Sequence, residues 1–474
     1  MLFNSFEFLL FLPIVFFIYW FLTKKNLSIQ NTFLLLASYI FYGWWDYRFL
    51  FLILLSTTVD YIIGLLLQNK TERFKYYRLL LLSVSICFNL GILFVFKYYN
   101  FFIESFAHLF SQLNYSFDEF NTLNIILPVG ISFYTFQTLS YTIDVYRKEL
   151  EPTKSFIEFA TYVAFFPQLV AGPIERASSL LPQIQTKRIF NYRQGSEGVR
   201  LIIWGLFKKV VIADSLAEDV NFIFSNYSTL NSSTLFLGAI YFSVQIYGDF
   251  SGYSDIAIGV AKILGFEIRS NFRFPYFASN ISQFWNRWHI SLSSWFKDYL
   301  YIPLGGSREG ILKSIRNVFV VFILSGLWHG ANSTYIVWGA IHSILYLPSF
   351  IIKRNSTANA SIDNNRKEKL LFIKRISCFL IITITWIFFR SPDLNSSLNY
   401  IIRMVSFPDL NPQFTDGIIL VIIFFSLDWK TRNNERDILF SSKKWKRITL
   451  YLLMSFLIYQ GLYETKSEFI YFQF

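Results

Sequence analysis

Two histidines in apolar surroundings are the residues in this chain best suited to do chemistry. His329 lies near the end of the apolar run 318–331 (VFVVFILSGLWHGA), and His289 lies forty residues earlier, in the aromatic segment 284–293 (FWNRWHISLS). Ionisable side chains are rare in membrane segments because their charged form is poorly solvated there, and they usually face a polar cavity or a proton path. The chain has only four histidines in 474 residues, so two in such settings predict a buried proton-transfer site.

The immediate neighbours of His329 favour a chemical role. Gly326 and Gly330 remove side-chain bulk, so backbone or substrate can approach closely. Trp328 could stack on a flat substrate group, and Asn332 could hold a carbonyl or the imidazole. The alternative is a histidine that bonds a neighbouring carbonyl for packing alone, and the local residues leave both interpretations open.

The segment around His289 is predicted to form one helix over residues 282–293, capped by Asn280 with Gln283 three residues later. Helical spacing would then place four polar side chains on one face: Ser282, Asn286, His289 and Ser293. Trp285 and Trp288 would lie on an adjacent face. One face could line a wet cavity, or the whole helix could lie at the membrane interface with His289 solvated.

The other candidate polar groups point less clearly to chemistry. We interpret His342 as a structural or interfacial residue and His108 as incidental. His289, His329 and His342 lack the i, i+4 spacing of a helical zinc site, and no cysteine lies near them, so no metal site is predicted. Asp249 and Asp255 could form a carboxylate pair or an ion path, or belong to a helix-bending Gly/Ser patch.

Composition indicates the elements that must position these residues. The chain is 54% hydrophobic, 20% aromatic and 16% charged, against roughly 25% charged in an ordinary soluble domain. Apolar runs near the length of a membrane span recur along the chain. We predict an all-α, polytopic integral membrane protein with about ten to thirteen transmembrane and re-entrant helices around a central polar chamber. We expect one domain over 1–474, with its motif-bearing core at about 124–350 and peripheral helices at 1–123 and 366–474.

The net charge of +12 does not require a nucleic acid partner. The basic residues cluster in short loops between apolar runs, for example at 70–78, 353–369 and 443–447. This is the pattern of the positive-inside rule, which places such loops in the cytoplasm beside anionic lipid. We therefore expect a lipid bilayer, not nucleic acid, as the partner of this charge.

Several motifs together resemble the membrane-bound O-acyltransferase family, and more narrowly its bacterial branch of alginate O-acetyltransferases and teichoic acid D-alanyl transfer proteins. The motifs are FWNRWHISLS at 284–293, YLYIPLGG at 299–306, LWHGAN at 327–332, FFPQLVAGPIER at 165–176 and LPVGISFYTFQ at 127–137. The opening residues MLFNS also fit. The resemblance covers nearly the whole chain in order.

The resemblance implies a bacterial inner-membrane enzyme that moves an acyl group from a cytoplasmic donor, most plausibly acetyl-CoA, with no bound cofactor. It implies that His329 is catalytic and that His289 is its partner in the reaction chamber. The substrate-binding residues expected beside them are Trp285, Asn286, Arg287, Trp288, Trp328 and Asn332. Lys208 and Lys209 are expected to bind the donor's phosphates, with Arg287, Lys297, Arg308 and Lys313 as further candidates. The alternative is that these basic residues are anchors of the positive-inside pattern.

The resemblance also implies an acceptor outside the cytoplasm. Alginate or another exopolysaccharide, peptidoglycan and teichoic acid all remain open as acceptors. Members of this branch commonly work with an extracytoplasmic acyltransferase or esterase-like partner protein, so we expect a membrane complex.

Two other classes of protein stay open at this stage. A secondary transporter would also be polytopic, but it should show inverted repeats and paired broken helices, and the sequence shows neither. A non-enzymatic subunit for polysaccharide export would need no histidine pair. Whether His329→Ala abolishes acyl transfer while leaving export intact separates these classes from the enzyme.

Overall fold

The computed structural model describes residues 1–68, 75–112, 122–123, 125–355, 364–406, 409, 411–434, 443–464 and 469–470, with side chains omitted at 352–355, 364–367 and 463–464. Within these ranges the regular secondary structure is entirely helical. The predicted all-α class is therefore confirmed. Of the basic loop expected at 70–78, residues 70–74 lie outside the described residues, and residues 75–78 belong to a helix.

The α-helices of the first half of the chain are, in order, α1 Phe6–Phe17, α2 Leu27–Gly43, α3 Leu50–Leu66, α4 Lys75–Leu93, α5 Tyr99–Gln112, α6 Ile131–Tyr146, α7 Phe156–Ala164, α8 Phe166–Leu169, α9 Ala177–Gln185 and α10 Tyr192–Leu206. Several begin at a side chain that accepts a hydrogen bond from the first turn, such as Ser5 for α1 and Asn26 for α2.

The second half continues with α11 Ser215–Ser225, α12 Ser232–Ile263, α13 Ile281–Trp285, α14 Ile290–Phe296, α15 Ile311–His329, α16 Ser333–Asn355, α17 Asn364–Arg390, α18 Leu394–Ser406, α19 Gly417–Thr431 and α20 Lys444–Glu464. Stretches of π-helix at Phe207–Asp214 and Lys297–Tyr301 interrupt the regular pattern. Such π segments are rare and frequently lie at functional sites.

The chain divides into two compact units, residues 1–198 with 260–269, and residues 199–259 with 270–474. Both histidines of interest, His289 and His329, belong to the second unit. That the units form the single domain expected from the sequence stays a prediction.

Five helical segments among the described residues are long and apolar enough to cross a membrane: Tyr47–Leu66, Lys75–Gln112, Ile311–His329, Ser333–Ile351 and Glu368–Arg390. Phe6–Leu22 is a shorter apolar helix. The protein is a multi-pass membrane protein. A total of ten to thirteen membrane helices would have to include shorter or more polar segments, such as the 32-residue α12.

Close packing of α15 against α16 sets the position of His329. Gly326 on α15 lies against the Tyr335 carbonyl of α16, and Gly339 on α16 lies against the Phe322 carbonyl of α15, so a Cβ at either glycine would collide with the other backbone. Small residues at such crossings let membrane helices approach closely. Gly326, one of the two glycines expected to let backbone or substrate approach closely, therefore lets backbone approach.

The single helix predicted over 282–293 is wrong. The segment forms α13 and α14 with a turn between them, and His289 has left-handed backbone angles, φ 44° and ψ 53°. The loop before α13 binds the freed backbone groups, because Arg273 N–H donates to the Arg287 carbonyl and Ile290 N–H donates to the Asn271 carbonyl. A left-handed residue costs roughly 1–2 kcal/mol, and such residues cluster at functional sites.

Candidate active site

The two histidines predicted to act together lie side by side. The ring centroids of His289 and His329 are 6.3 Å apart. His329 is the last residue of α15, and His289 immediately precedes α14. The side chains of His289 and His329 are almost completely buried, with 0% and 3% exposure respectively. The fold thus brings two imidazoles from separate elements together. We call these two residues, with the aromatic side chains around them, the histidine chamber.

Aromatic rings surround both imidazoles. The His329 ring packs against Trp338 and Phe389, with centroids 5.4 and 5.3 Å away. Phe250 packs against His289 at 4.7 Å. Trp328 lies between them, 5.7 Å from His289 and 5.1 Å from His329. These contacts exclude bulk water from the rings.

Burial determines the protonation state of His289, which lies outside the helices long enough to cross the membrane. It lowers the pKa of the imidazole from 6.5 to about 3, because the charged form is poorly solvated among aromatic rings. His289 is therefore neutral at neutral pH and does not change charge near neutrality. A neutral imidazole can accept a proton or a hydrogen bond from a substrate hydroxyl.

A cavity of about 630 Å³ lies along α15, and neither His289 nor His329 is among its lining residues. Its α15 wall includes Val318, Phe322 and Ser325, and Ser325 lies one helical turn before His329. Three of the four side chains in the predicted polar stripe also line it, namely Ser282, Asn286 and Ser293. A volume of this size is typical of small-molecule sites, which usually measure about 300–1,000 Å³.

The remaining residues predicted to bind substrate divide into two groups. Trp285 lines the cavity beside Asn286, and Trp328 packs on both imidazoles. Trp288 is instead buried between Phe272 and Trp386, with ring centroids 5.0 Å away in each case.

Arg287 and Asn332 take up backbone contacts. Arg287 is half-buried, and its carbonyl accepts from Arg273. Asn332 caps α16, because its Oδ1 accepts from Thr334 N–H while its Nδ2 donates to the Pro392 carbonyl. A substrate contact for either residue stays a prediction.

Lys208 and Lys209 are buried and ion-paired. Lys208 Nζ lies 2.7 Å from Asp255 Oδ2, and Lys209 Nζ lies 2.7 Å from Asp214 Oδ1 and 2.9 Å from Asp249 Oδ1. The lysines are 3% and 4% exposed. We call these five residues the lysine cluster. Their role as phosphate ligands stays a prediction, and the carboxylates compete with any phosphate.

Asp249 and Asp255 were open as a carboxylate pair. In the structure Asp255 forms an ion pair with Lys208 and Asp249 forms one with Lys209. This favours the alternative of a packed patch of paired polar groups.

His342 matches its structural interpretation. Trp285 Nε1–H donates to His342 Nδ1 at 3.2 Å, and His342 Nε2 lies 3.0 Å from Thr385 Oγ1. The Thr385 hydroxyl itself donates to the Ile382 carbonyl, so it accepts from His342 Nε2. Both ring nitrogens are thereby used inside the protein.

Asn271 is a residue of the chamber that sequence reasoning missed. It is 1% exposed, and its Oδ1 lies 3.1 Å from His289 Nδ1. Eighteen residues separate the two in the chain, so no local periodicity could connect them. Phe250, Trp338 and Phe389 were also missed, since single aromatic residues are common in a chain with 20% aromatics.

Comparison with known proteins identifies relatives of this chain. Residues 148–391 match the membrane-bound O-acyltransferase (MBOAT) family, and both chamber histidines lie in that range. The chain is 40% identical over 411 residues to the probable alginate O-acetylase AlgI of Pseudomonas putida, covering 86% of this chain and 81% of that protein. It is 36% identical over 426 residues to the peptidoglycan O-acetyltransferase of Helicobacter pylori, covering 83% and 78%.

A more distant relative is the teichoic acid D-alanyltransferase of Bacillus subtilis, which is 27% identical over 279 residues, covering 56% of this chain and 67% of that protein. The matched family range covers more than half of the chain, and the nearer relatives align along most of both lengths. The chain belongs to the membrane-bound O-acyltransferase family and is an O-acyltransferase of a bacterial membrane.

Proposed function

We propose that this protein transfers an acetyl group from cytoplasmic acetyl-CoA, across the membrane, for O-acylation of an extracytoplasmic polysaccharide such as alginate. The observation that carries the proposal is a pair of buried imidazoles 6.3 Å apart. One of them, His329, ends the helix whose earlier turns line a ligand-sized cavity. Similarity to alginate and peptidoglycan O-acetylating proteins supports acetyl transfer to a polysaccharide.

The residues suit general-base acyl transfer. A hydroxyl is a weak nucleophile until its proton is removed as it attacks. His329 takes that proton while the hydroxyl oxygen bonds to the thioester carbonyl carbon. The carbon–sulfur bond then breaks, and the proton held by His329 leaves with the coenzyme A thiolate as the thiol. The aromatic walls exclude water, which would otherwise hydrolyse the thioester.

The donor enters through the 630 Å³ cavity, and Lys297 is the cation best placed to meet its phosphates. Lys297 lines the cavity with Tyr301 and Ser307, and its side chain is exposed. It has no carboxylate partner among the described side chains. Lys313, by contrast, pairs with Glu309 at 2.9 Å. We therefore move the principal phosphate contact from Lys208 and Lys209 to Lys297.

The acceptor side of the reaction requires a second protein. A polymer chain outside the cytoplasm is too large to enter a chamber whose histidines are at most 3% exposed. A partner acyltransferase or esterase-like protein, docked at the extracytoplasmic face, supplies the hydroxyl that attacks the thioester and then passes the acyl group to the polysaccharide. The teichoic acid D-alanyltransferase relative supports a shared route in which only the acyl group and acceptor differ.

Mass analysis of cell-surface polysaccharide tests the proposal. Cells lacking the gene are complemented with the wild-type protein, with His329→Gln or with His108→Gln, at matched membrane levels. His108 is an exposed residue of α5 and serves as the matched control. We expect O-acetylation with the wild type and the His108 variant, and none with the His329 variant.

The same samples identify the acceptor. Alginate, peptidoglycan and teichoic acid fractions are analysed separately, so the fraction that loses its ester groups names the substrate. Normal O-acylation of every fraction in cells without the gene would overturn the proposed function.

A further inference from the structure

The start of α14 is capped by a residue far away in the chain. His289 immediately precedes this helix and supplies no capping hydrogen bond to it. The first helical N–H groups are bound by Asn271: Ile290 N–H donates to its backbone carbonyl at 2.9 Å, and Ser291 N–H donates to its Oδ1 at 3.2 Å. The Ser291 hydroxyl donates to the same Oδ1 at 2.9 Å.

These contacts fix which way the Asn271 amide points. A backbone N–H can only donate, so the amide atom facing Ser291 must be the oxygen. The Nδ2 group then faces the Ser254 hydroxyl at 3.3 Å, which can accept. A flipped amide would place donor against donor at Ser291, in a site that is 1% exposed, where an unmet polar group is costly.

The orientation of Asn271 determines the tautomer of His289. His289 Nδ1 lies 3.1 Å from Asn271 Oδ1, which is an acceptor. A neutral imidazole has one N–H and one lone pair, so Nδ1 carries the hydrogen and donates to Asn271. The lone pair of the ring therefore lies on Nε2.

We propose that Asn271 is a positioning residue that holds His289 as the Nδ1–H tautomer, so that Nε2 accepts a hydrogen bond or a proton from the reacting hydroxyl. The proposal rests on the proposed function. It distinguishes two roles for His289, relay of a proton and donation of a hydrogen bond to the thioester carbonyl. An Nε2 lone pair relays or accepts a proton beside His329, and it cannot donate a hydrogen bond to the thioester carbonyl. The same Oδ1 atom of Asn271 caps the first turn of α14 and accepts the Nδ1–H of His289, the residue before that helix.

Nitrogen-15 solid-state NMR of the full-length protein in lipid bilayers tests the tautomer without any substrate. The chain has four histidines, so ring-labelled histidine gives a countable spectrum, and the difference from His289→Gln assigns the signals. We expect a protonated Nδ1 and an unprotonated Nε2 for His289 at neutral pH. A protonated Nε2 would overturn the proposal.

Variants of Asn271 test its role. Asn271→Asp keeps an acceptor oxygen facing Ser291 and His289, so it should keep the Nδ1–H tautomer and retain measurable acyl transfer. Asn271→Ala removes that oxygen, so signals of the other tautomer should appear. Its kcat should fall about ten- to hundredfold, by analogy with the loss of groups that orient metal-bound histidines, while the KM for acetyl-CoA changes little.

Ser294→Ala is the matched control, because its hydroxyl donates to the Ser291 carbonyl on the same short helix and its loss disturbs α14 without touching Asn271 Oδ1. An Asn271→Ala protein with the wild-type tautomer and kcat would contradict the proposal. If that variant does not fold, the wild-type tautomer and Asn271→Asp still decide.

The NMR outcome is independent of the proposed function. A wild-type protein that shows the Nδ1–H tautomer but transfers no acyl group would refute the function and leave the positioning by Asn271 intact.

Discussion

The lysine cluster and the histidine chamber lie in the same unit of the protein and are both buried, yet they handle charge in different ways. In the lysine cluster each ammonium lies within 3 Å of a carboxylate. In the chamber the imidazoles face aromatic rings, and the pKa of His289 is lowered to about 3, so that ring stays neutral. A matched ion pair holds elements together, whereas a neutral base beside a cavity can exchange protons with a substrate.

From this difference we infer a stabilising role for the lysine cluster and a chemical role for the histidine chamber. The cluster joins the π-helical stretch Phe207–Asp214 to α12, because Lys208 and Lys209 lie on the first and their partners Asp249 and Asp255 lie on the second. The chamber joins α14 to α15 through ring contacts among His289, Trp328 and His329. Variants in each region should therefore change different observables.

The largest effect is expected at His329. His329→Ala removes the proposed general base, which typically contributes about 10²–10⁴-fold to a rate. The turnover of acetyl-CoA by purified protein with an added partner should fall by that factor, while the melting temperature changes little. If the melting temperature of His329→Ala falls sharply together with its turnover, His329 has a structural role and not the proposed catalytic one.

A comparable effect on stability, not on chemistry, is expected at Lys209. Lys209→Met leaves Asp214 and Asp249 buried without their cation, and breaking a buried pair in this way typically costs about 3–5 kcal/mol. The free energy of unfolding in detergent should fall by about that amount. Adding Asp214→Asn and Asp249→Asn to the Lys209 variant should restore part of the loss, and no recovery would argue against the ion pairs as its origin.

His342 sharpens the contrast between histidines. Both of its ring nitrogens bond to protein groups. His342→Phe should therefore leave the buried Trp285 Nε1–H without its acceptor and cost about 1–3 kcal/mol of stability. Turnover per folded molecule should stay within a few-fold of the wild type. A loss as large as that at His329 would place His342 in the reaction.

The smallest effect is expected at the entrance of the cavity. Lys297→Gln removes one charge that can meet a donor phosphate, so the KM for acetyl-CoA should rise about three- to tenfold, with a difference that shrinks at high salt. Lys313→Gln is the matched control, since Lys313 is paired with Glu309. Equal KM values for both variants would assign Lys297 to membrane topology.

The sequence predicted the residues of the chamber better than their setting. His289 and His329 stood out because a buried imidazole is unusual, and the polar residues Ser282, Asn286 and Ser293 do line one cavity. Local periodicity could not predict the break between α13 and α14. That break depends on hydrogen bonds that Asn271 accepts and Arg273 donates, across fourteen to twenty residues of the chain.

The lysines show the same limit. A pair of basic residues beside a polar centre predicts either phosphate binding or topology, and sequence alone does not contain the distance from Lys209 to Asp249. That distance of 2.9 Å joins residues forty positions apart, and it depends on the packing of two helical elements. The charges that meet substrate are those left without a partner after folding, which only the three-dimensional arrangement reveals.

We infer that the chamber performs the chemistry while the lysine cluster supports the fold. The most direct test measures acyl transfer from radiolabelled acetyl-CoA per folded molecule for the wild type, His329→Ala and Lys209→Met in the same lipid preparation. We predict transfer close to the wild-type value for the folded Lys209 variant, and a loss of about 10²–10⁴-fold for His329→Ala. Acyl transfer at the wild-type rate by His329→Ala would contradict this inference. Loss of acyl transfer by fully folded Lys209→Met would contradict it as well.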